Sequence, residues 1–282
     1  KEKWTAAMNN VVCAAYTDVV VKLSDTLQDV PGHNLVCNVH GVRAEFLAIG
    51  AAQAATPRWD GGAYFLGKAL WTKGYRELFK LLEEAASQGK VVPVLTTYGS
   101  GPDRDEIASE VEGKNLPVRM NDGIDHAHPS LHGYQVFINP STSDVLCTAT
   151  AEALAMGKKV IIPDHPSNTF FKQFANTITY QHQDEAIRLL LSALDTPPLP
   201  MSPMEQYALS WEAATERLLD AAALPSGTRR PKERPLHKLA YYAHYAMGVQ
   251  PLFDVFRSAT GATPVMPRHD HVGSVSRAGR DS

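Results

Sequence analysis

Between Ala63 and Ala222, short apolar runs alternate with longer amphipathic stretches, and that alternation leaves few folds open. Strand-like runs occur at Ala63 to Gly67 (AYFLG), Val91 to Gly99 (VVPVLTTYG), Pro117 to Asn121 (PVRMN), Tyr134 to Ile138 (YQVFI), Lys159 to Pro163 (KVIIP) and, more weakly, Thr177 to Tyr180 (TITY). Pro93 cannot donate to a ladder, so the first residues of the second run should lie outside the sheet. Helical periodicity fills the gaps, at Tyr75 to Gln88, Asp103 to Glu112, Thr148 to Met156 and Asp184 to Leu194. A final helix is expected over Ser202 to Ala223, with Ser202 as its N-cap and Pro203 at its first position. Strands alternating with helices of this length predict an α/β fold with a doubly wound parallel sheet. Ligands bind such sheets beyond the carboxyl ends of the strands, so the loops after the first, second and fourth strands should open on one edge.

The loop after the fourth strand carries the strongest functional signal: NPSTSDVLCTATAEALAMG, Asn139 to Gly157. It runs through Pro, Ser and Thr into an Ala-rich helix, with Asp144 before the helix and Glu152 inside it. The N–H groups around Thr148 and Ala149, at the positive end of the helix dipole, suit an anion. Glu152 follows Thr148 by one turn on the same face, roughly 6 Å along the axis, where a carboxylate can accept hydrogen bonds from a ribose. The competing reading is a capping box, but Thr148 and Glu152 are four residues apart rather than three, and position 151 is Ala. An acidic residue near a helix start is common for dipole reasons alone.

Two other loops add to this. Gly67-Lys68 follows the first strand, and Lys73-Gly74 opens the next helix, so two lysines could serve a diphosphate. After the second strand, Gly99 and Gly101 in YGSGPDR would allow a tight turn near a ligand. Most lysines are only solvated, and a lone G-x-G is no dinucleotide fingerprint. Only the three loops together point to a nucleotide carrying phosphates and a ribose.

Charge is uneven. Residues 225–282 hold nine Lys/Arg against four Asp/Glu, a net of +5, on a body of −8. The tail suits an anionic partner such as a phosphate-bearing surface, although a solvated basic loop accounts for it equally well. No apolar stretch approaches the ~18 residues of a membrane-spanning helix. Cys13, Cys37 and Cys147 are scattered in apolar contexts and read as reduced, buried thiols. His126 and His128 could bind zinc by residue type, but they lack a third ligand and more often such residues are solvated. His165 reads as a loop residue.

The three loops resemble the donor-binding half of the retaining glycosyltransferases with the two-Rossmann-domain GT-B fold. Lys68, Lys73, Gly99/Gly101 and Asp144…Glu152 occupy the places of that pattern. Two departures stand out: Asp144 where Glu is usual, and Lys68 where Arg is frequent, which forgoes a bidentate fork. The wording of YFLGKALWTKGYREL, VFINPSTSDVLCTATAEALAMGK, DHPSN, LSWEAATERL, NVHGV and TGATP is similar to the digalactosyldiacylglycerol synthases of plastids. The resemblance implies galactose transfer from UDP-galactose to monogalactosyldiacylglycerol with retention. It implies work for Lys68, Lys73 and Asp144 in catalysis, and donor binding by Gly67, Gly99, Gly101, Thr148, Ala149 and Glu152. It implies no metal, no cofactor beyond the donor, and no nucleic acid. A peripheral place on the chloroplast outer envelope, facing the cytosol and touching anionic lipid, also follows from it. The uracil is expected near Asn121 to Asp125.

Three domains are expected: residues 1–42, a remnant of an N-terminal acceptor domain and the interdomain joint; 43–224, the nucleotide-sugar domain; and 225–282, a basic tail. The remnant should hold one helix and one strand. The chain begins KEKWTAAMNN without a start Met and is expected to lack most of the N-terminal Rossmann domain, leaving the piece alone inactive. Leu236 to Gly248 (LHKLAYYAHYAMG) reads either as a membrane-surface helix or as one packing on the other domain. Two other functions stay open: a transferase of the same fold using another UDP-sugar, and a non-catalytic module binding UDP-sugar or lipid.

Overall fold

The computed structural model describes residues 17–30 and 32–223, with isolated positions outside them (Ala7, Asn10, Val11, Cys13, Tyr241 and Tyr242). The basic tail, with the helix expected over Leu236 to Gly248, otherwise lies outside the described residues. The chain divides into two compact units, Lys1–Thr17 with Arg230–Ser282, and Asp18–Arg229. Everything below concerns the second.

That unit opens with a parallel pair of short strands, β1 (Val19–Lys22) and β2 (His33–Val36), so this region holds one strand more than its sequence suggested. Helix α1 (Ala44–Ala55) follows. The main sheet is β3 (Ala63–Leu66), β4 (Leu95–Tyr98), β5 (Val118–Asn121), β6 (Val136–Ile138), β7 (Lys159–Pro163) and β8 (Thr177–Tyr180). Its spatial order is β5-β4-β3-β6-β7-β8, every neighbouring pair parallel. Pro93 lies outside the ladder, as its missing N–H requires.

The central strands are apolar on both sides because helices cover both faces. Along β3, Ala63 and Phe65 point into one core while Tyr64 and Leu66 point into the other. The first core is closed by α2 (Tyr75–Ser87), α3 (Arg104–Gly113) and α5 (Gln183–Leu194), through side chains such as Phe79, Ile107 and Leu190. The second is closed by α1, α4 (Thr148–Ala155) and α6 (Pro203–Leu209), through Phe46, Leu154 and Leu209. Gly50 of α1 packs so closely on α4 that a Cβ there would run into the Ala155 carbonyl.

The single helix expected over Ser202 to Ala223 is two: α6 and α7 (Trp211–Ala222). Ser210 stands between them in an extended conformation (φ −72°, ψ 161°), and its hydroxyl accepts from the Ala213 N–H. The chain breaks there because Ser210 caps the next helix better than it continues the last one. Ser202 does cap α6, in a capping box with Glu205.

The order of strands reverses between β3 and β6: from β3 the chain works outward to the β5 edge, then returns to β6 on β3's other side. Loops leaving β3 and β6 at their carboxyl ends therefore part in opposite directions, and a crevice opens between them. The two loops are 67–74 and 139–147.

Candidate functional site: a crevice at the carboxyl edge of the sheet

The loops of the crevice are stitched to one another by backbone. After β3, the Gly67 N–H donates to the Tyr98 carbonyl (3.1 Å) and the Ala69 N–H to the Ser100 carbonyl (3.1 Å). The Trp71 N–H donates to the Asp103 carboxylate at 2.9 Å. Gly99 and Gly101 are needed for this approach, and Gly101 also opens a tight turn, its carbonyl accepting from the Arg104 N–H at 3.2 Å. Neither has a positive φ, but a Cβ at Gly99 would strike the Gly67 carbonyl, and one at Gly101 the Ala69 carbonyl. The left-handed turn falls at Gly74, with φ +100°, which ends the β3 loop and begins α2. There a side chain would be strained and would also press on the Ser141 amide at 2.9 Å.

The loop after β6 is held against the same turn. Asn139 accepts from the Ser141 N–H at 3.2 Å, and the Ser143 hydroxyl donates to the Thr72 carbonyl. These contacts bring Lys73 and Asp144 together: Nζ donates to Oδ1 at 2.5 Å, with side chains 39% and 13% exposed. Two residues separated by 71 positions thus form one ion pair at the reversal of strand order. Lys68 is exposed on the β3 loop, and its side chain makes no hydrogen bond or ion pair with the described residues. It supplies an uncommitted positive charge on the loop that also carries Lys73.

Helix α4 begins at this crevice with Cys147 at its N-cap and no side-chain capping bond, so the capping-box alternative is not what forms. Thr148 is exposed and Ala149 half-buried at its first turn. Burial pushes the Cys147 thiol up to about 11, against the Thr150 side chain and the amides of Ala149 and Thr150, so the group beside the helix end is a neutral thiol. No side chain caps the helix end by a hydrogen bond, and its first turn carries no acidic residue, so its partial positive charge stays available. All three cysteines are free and half-buried rather than fully buried.

Glu152 does not turn back to its own helix. Its Oε2 meets His126 Nδ1 at 2.5 Å, beside Tyr64, Leu66, Phe137 and Met156. His126 sits on the loop after β5, which two anchors fix. The Asp125 carboxylate accepts from the Ala127 N–H at 2.8 Å and from Arg43 at 3.2 Å, and these bonds hold its carboxyl below the usual range. His40 also faces Glu152. Burial lowers its basicity, the Glu152 charge partly restores it, and its ring lies 5.1 Å from that of Trp211. The sequence had offered His126 as a zinc ligand or a solvated residue; neither role accounts for this bond. The partner is 26 residues away, so no local spacing could have signalled it. Among the described residues no group of three His, Cys, Asp or Glu side chains is arranged to hold a metal. His165 caps the turn Pro166–Gln173, its ring accepting from the Ser167 N–H.

Lys158 was also not singled out from sequence. It is fully buried beneath the loop entering β6, and its Nζ donates to the carbonyls of Leu131 (2.7 Å), His132 (3.0 Å) and Tyr134 (2.8 Å). Burial lowers its amine to about 7.

Residues 62–192 match the family described as glycosyl transferases group 1. The fold agrees: the chain aligns with sucrose-phosphate synthase from Thermosynechococcus elongatus at a TM-score of 0.57, with 19% identity, over 78% of this chain and 63% of that one. The α/β unit is thus one Rossmann-like domain of a GT-B glycosyltransferase. Two soybean (Glycine max) proteins narrow the class. Digalactosyldiacylglycerol synthase 1, chloroplastic, is 47% identical over 224 residues, 77% of this chain and 28% of that protein. Digalactosyldiacylglycerol synthase 2, chloroplastic, is 41% identical over 277 residues, 91% of this chain and 58% of the relative. The chain belongs to the digalactosyldiacylglycerol synthase family, and it spans about a quarter to three-fifths of the length of these relatives.

Proposed function

We propose that this chain binds UDP-galactose in the crevice between the β3 and β6 loops, as the donor side of a galactosyltransferase that extends monogalactosyldiacylglycerol. The observation that carries the reading is the Lys73–Asp144 pair at the reversal of strand order, next to the open end of α4. Cleavage of the sugar–phosphate bond builds negative charge on the departing diphosphate. Lys68, Lys73 and the helix end near Thr148 and Ala149 supply stabilising charge and dipole without a metal. Glu152 holds the ribose, the uracil lies near Asn121 to Asp125, and Asp144 orients hydroxyls of the transferred sugar. The family supplies the choice of galactose. The basic 225–282 segment favours a peripheral position on an anionic plastid surface, the outer envelope facing the cytosol. Among the described residues no helix is long and apolar enough to cross a membrane.

The test is a chimaera in which this chain replaces the matching segment of soybean digalactosyldiacylglycerol synthase 2. Vesicles containing monogalactosyldiacylglycerol should yield the digalactosyl lipid from UDP-galactose and far less product from UDP-glucose. A folded chimaera that makes no lipid product, or that uses UDP-glucose equally well, would overturn the assignment.

A further inference from the structure

The bond between His126 and Glu152 has no part in the fold's own scaffolding. It joins the loop after β5 to a helix that the sheet already holds in place through Ala151, Ala153 and Leu154. Were it an ordinary surface pair it would contribute little. Its setting is different: Glu152 is only 18% exposed, and the two side chains close over Tyr64, Leu66, Phe137 and Met156. An ionised carboxylate only accepts, so Nδ1 of His126 must carry the proton that bridges the two. That fixes the tautomer by chemistry and leaves Nε2 without a partner among the described residues.

The loop that carries His126 is held on both sides of it. On one side the Asp125 carboxylate is tied to Ala127 and Arg43. On the other, His132 Nε2 lies 2.9 Å from the Ala127 carbonyl, and the His128 ring accepts from the Ser130 N–H. A two-torsion ring on a backbone so anchored can restrict the rotation of the longer side chain it bonds. A free Glu side chain has three rotatable bonds, and ordering it at the moment of binding costs rotamer entropy. A carboxylate offers about four acceptor sites, and His126 occupies one. The remaining sites are enough for two vicinal hydroxyls.

We propose that His126 is a positioning residue for the donor ribose: its Nδ1–H fixes Oε2 of Glu152 so that the rest of the carboxylate is preset for the ribose hydroxyls. The inference rests on the reading of Glu152 as the ribose contact. His126 is outside the charge-bearing part of the site, and it acts on donor recognition through Glu152 alone.

The experiment measures binding of UDP and of 2′-deoxy-UDP by calorimetry to the whole chain and to single and double variants at His126 and Glu152. Asn places an amide N–H close to where Nδ1 stands, so His126→Asn keeps the donor, whereas His126→Phe keeps the ring and removes it. His126→Phe should weaken UDP about five-fold, the worth of one net hydrogen bond, and shrink the preference for UDP over 2′-deoxy-UDP. His126→Asn should stay within about two-fold of wild type, and in a Glu152→Ala background, where no acceptor remains for Nδ1–H, His126→Phe should change almost nothing. Thermal unfolding of each variant identifies any that fails to fold, and His126→Ala then takes the place of His126→Phe. If His126→Phe binds both nucleotides as wild type does while Glu152→Gln binds UDP weakly, His126 has no positioning role and the ribose reading survives. If Glu152→Gln itself binds UDP with undiminished affinity, the ribose reading falls and this inference with it. A weakening by His126→Phe that leaves the UDP to 2′-deoxy-UDP ratio unchanged would make the residue merely structural and overturn the proposal.

Discussion

Replacing Asp144 by Asn should tighten UDP and loosen UDP-galactose, and the opposite signs follow from one ion pair. Lys73 is bonded to Asp144 at 2.5 Å. A diphosphate entering beside Lys73 meets its attraction and the repulsion of Asp144 together. Two unit charges ~6 Å apart interact by roughly 0.7 kcal/mol in bulk water and about 2.8 kcal/mol at an effective dielectric near 20. Lys73 is 39% exposed, so screening brings the benefit of removing Asp144 to about 1 kcal/mol, a gain of about five-fold for UDP. The intact donor loses something in exchange. If the carboxylate orients galactose hydroxyls, losing a hydrogen bond to a charged group costs about 1.5–3 kcal/mol, which exceeds the gain. Calorimetry with both ligands at 50 mM and 300 mM salt separates the two contributions, because only the UDP gain should shrink at high salt. Equal weakening of both ligands, or no change in either, would refute the reasoning.

Three further outcomes follow from the site and its supports. Lys73→Ala should lower galactosyl transfer by the chimaeric enzyme about 10²–10³-fold while lipid acceptor affinity stays near wild type, read from initial rates against acceptor concentration. UDP binding should be unaffected by EDTA, since the diphosphate is met by lysines and a helix end; loss of binding restored by a divalent cation would contradict this. Lys158 gives a stability prediction. Its folded amine sits at about 7, below its ordinary 10.5, so in that window the unfolded chain binds more protons than the folded one. The Lys158 contribution to stability should therefore rise with pH above about 7 and be lost as pH falls towards it, and Lys158→Met should flatten the slope in urea unfolding between about pH 7 and 9, below the range in which the buried Cys147 thiol contributes the opposite slope.

Much of the architecture could be read from local pattern, because buried central strands are short apolar runs bounded by polar loops. β7 and β8 fall on the residues their sequences indicate, Lys159–Pro163 and Thr177–Tyr180. Helix α1 was not read at all. Its sequence AEFLAIGAAQAA buries only Phe46 and Gln53, so it shows no apolar stripe to set against a polar face. The break at Ser210 was invisible for a different reason. No Gly or Pro marks it, and it depends on the cap that Ser210 makes and on the Gly41 backbone packed against Ser210 and Trp211. In the site, Lys73 and Asp144 lie on loops whose positions strand order dictates, so their meeting was accessible, and Glu152 follows on the helix that the second loop enters. The His126–Glu152 bond and the Lys158 anchor join segments 26 and 24–27 residues apart through tertiary structure alone. The two glycines after β4 were noticed for the turn that opens at Gly101, but the second reason for them, the neighbouring backbone they admit, was not visible locally.

The measurement that bears most directly on the account is UDP binding to the folded chain, compared with Glu152→Gln. Gln has similar helix propensity, so α4 should stay intact and the unfolding midpoint should barely move. Wild type should bind UDP, and the variant should bind it more weakly by about 1.5–3 kcal/mol, roughly ten- to a hundred-fold. No binding heat at millimolar UDP with a folded sample, or a variant that loses stability but binds UDP as tightly as wild type, would contradict the placement of a nucleotide-sugar in this crevice.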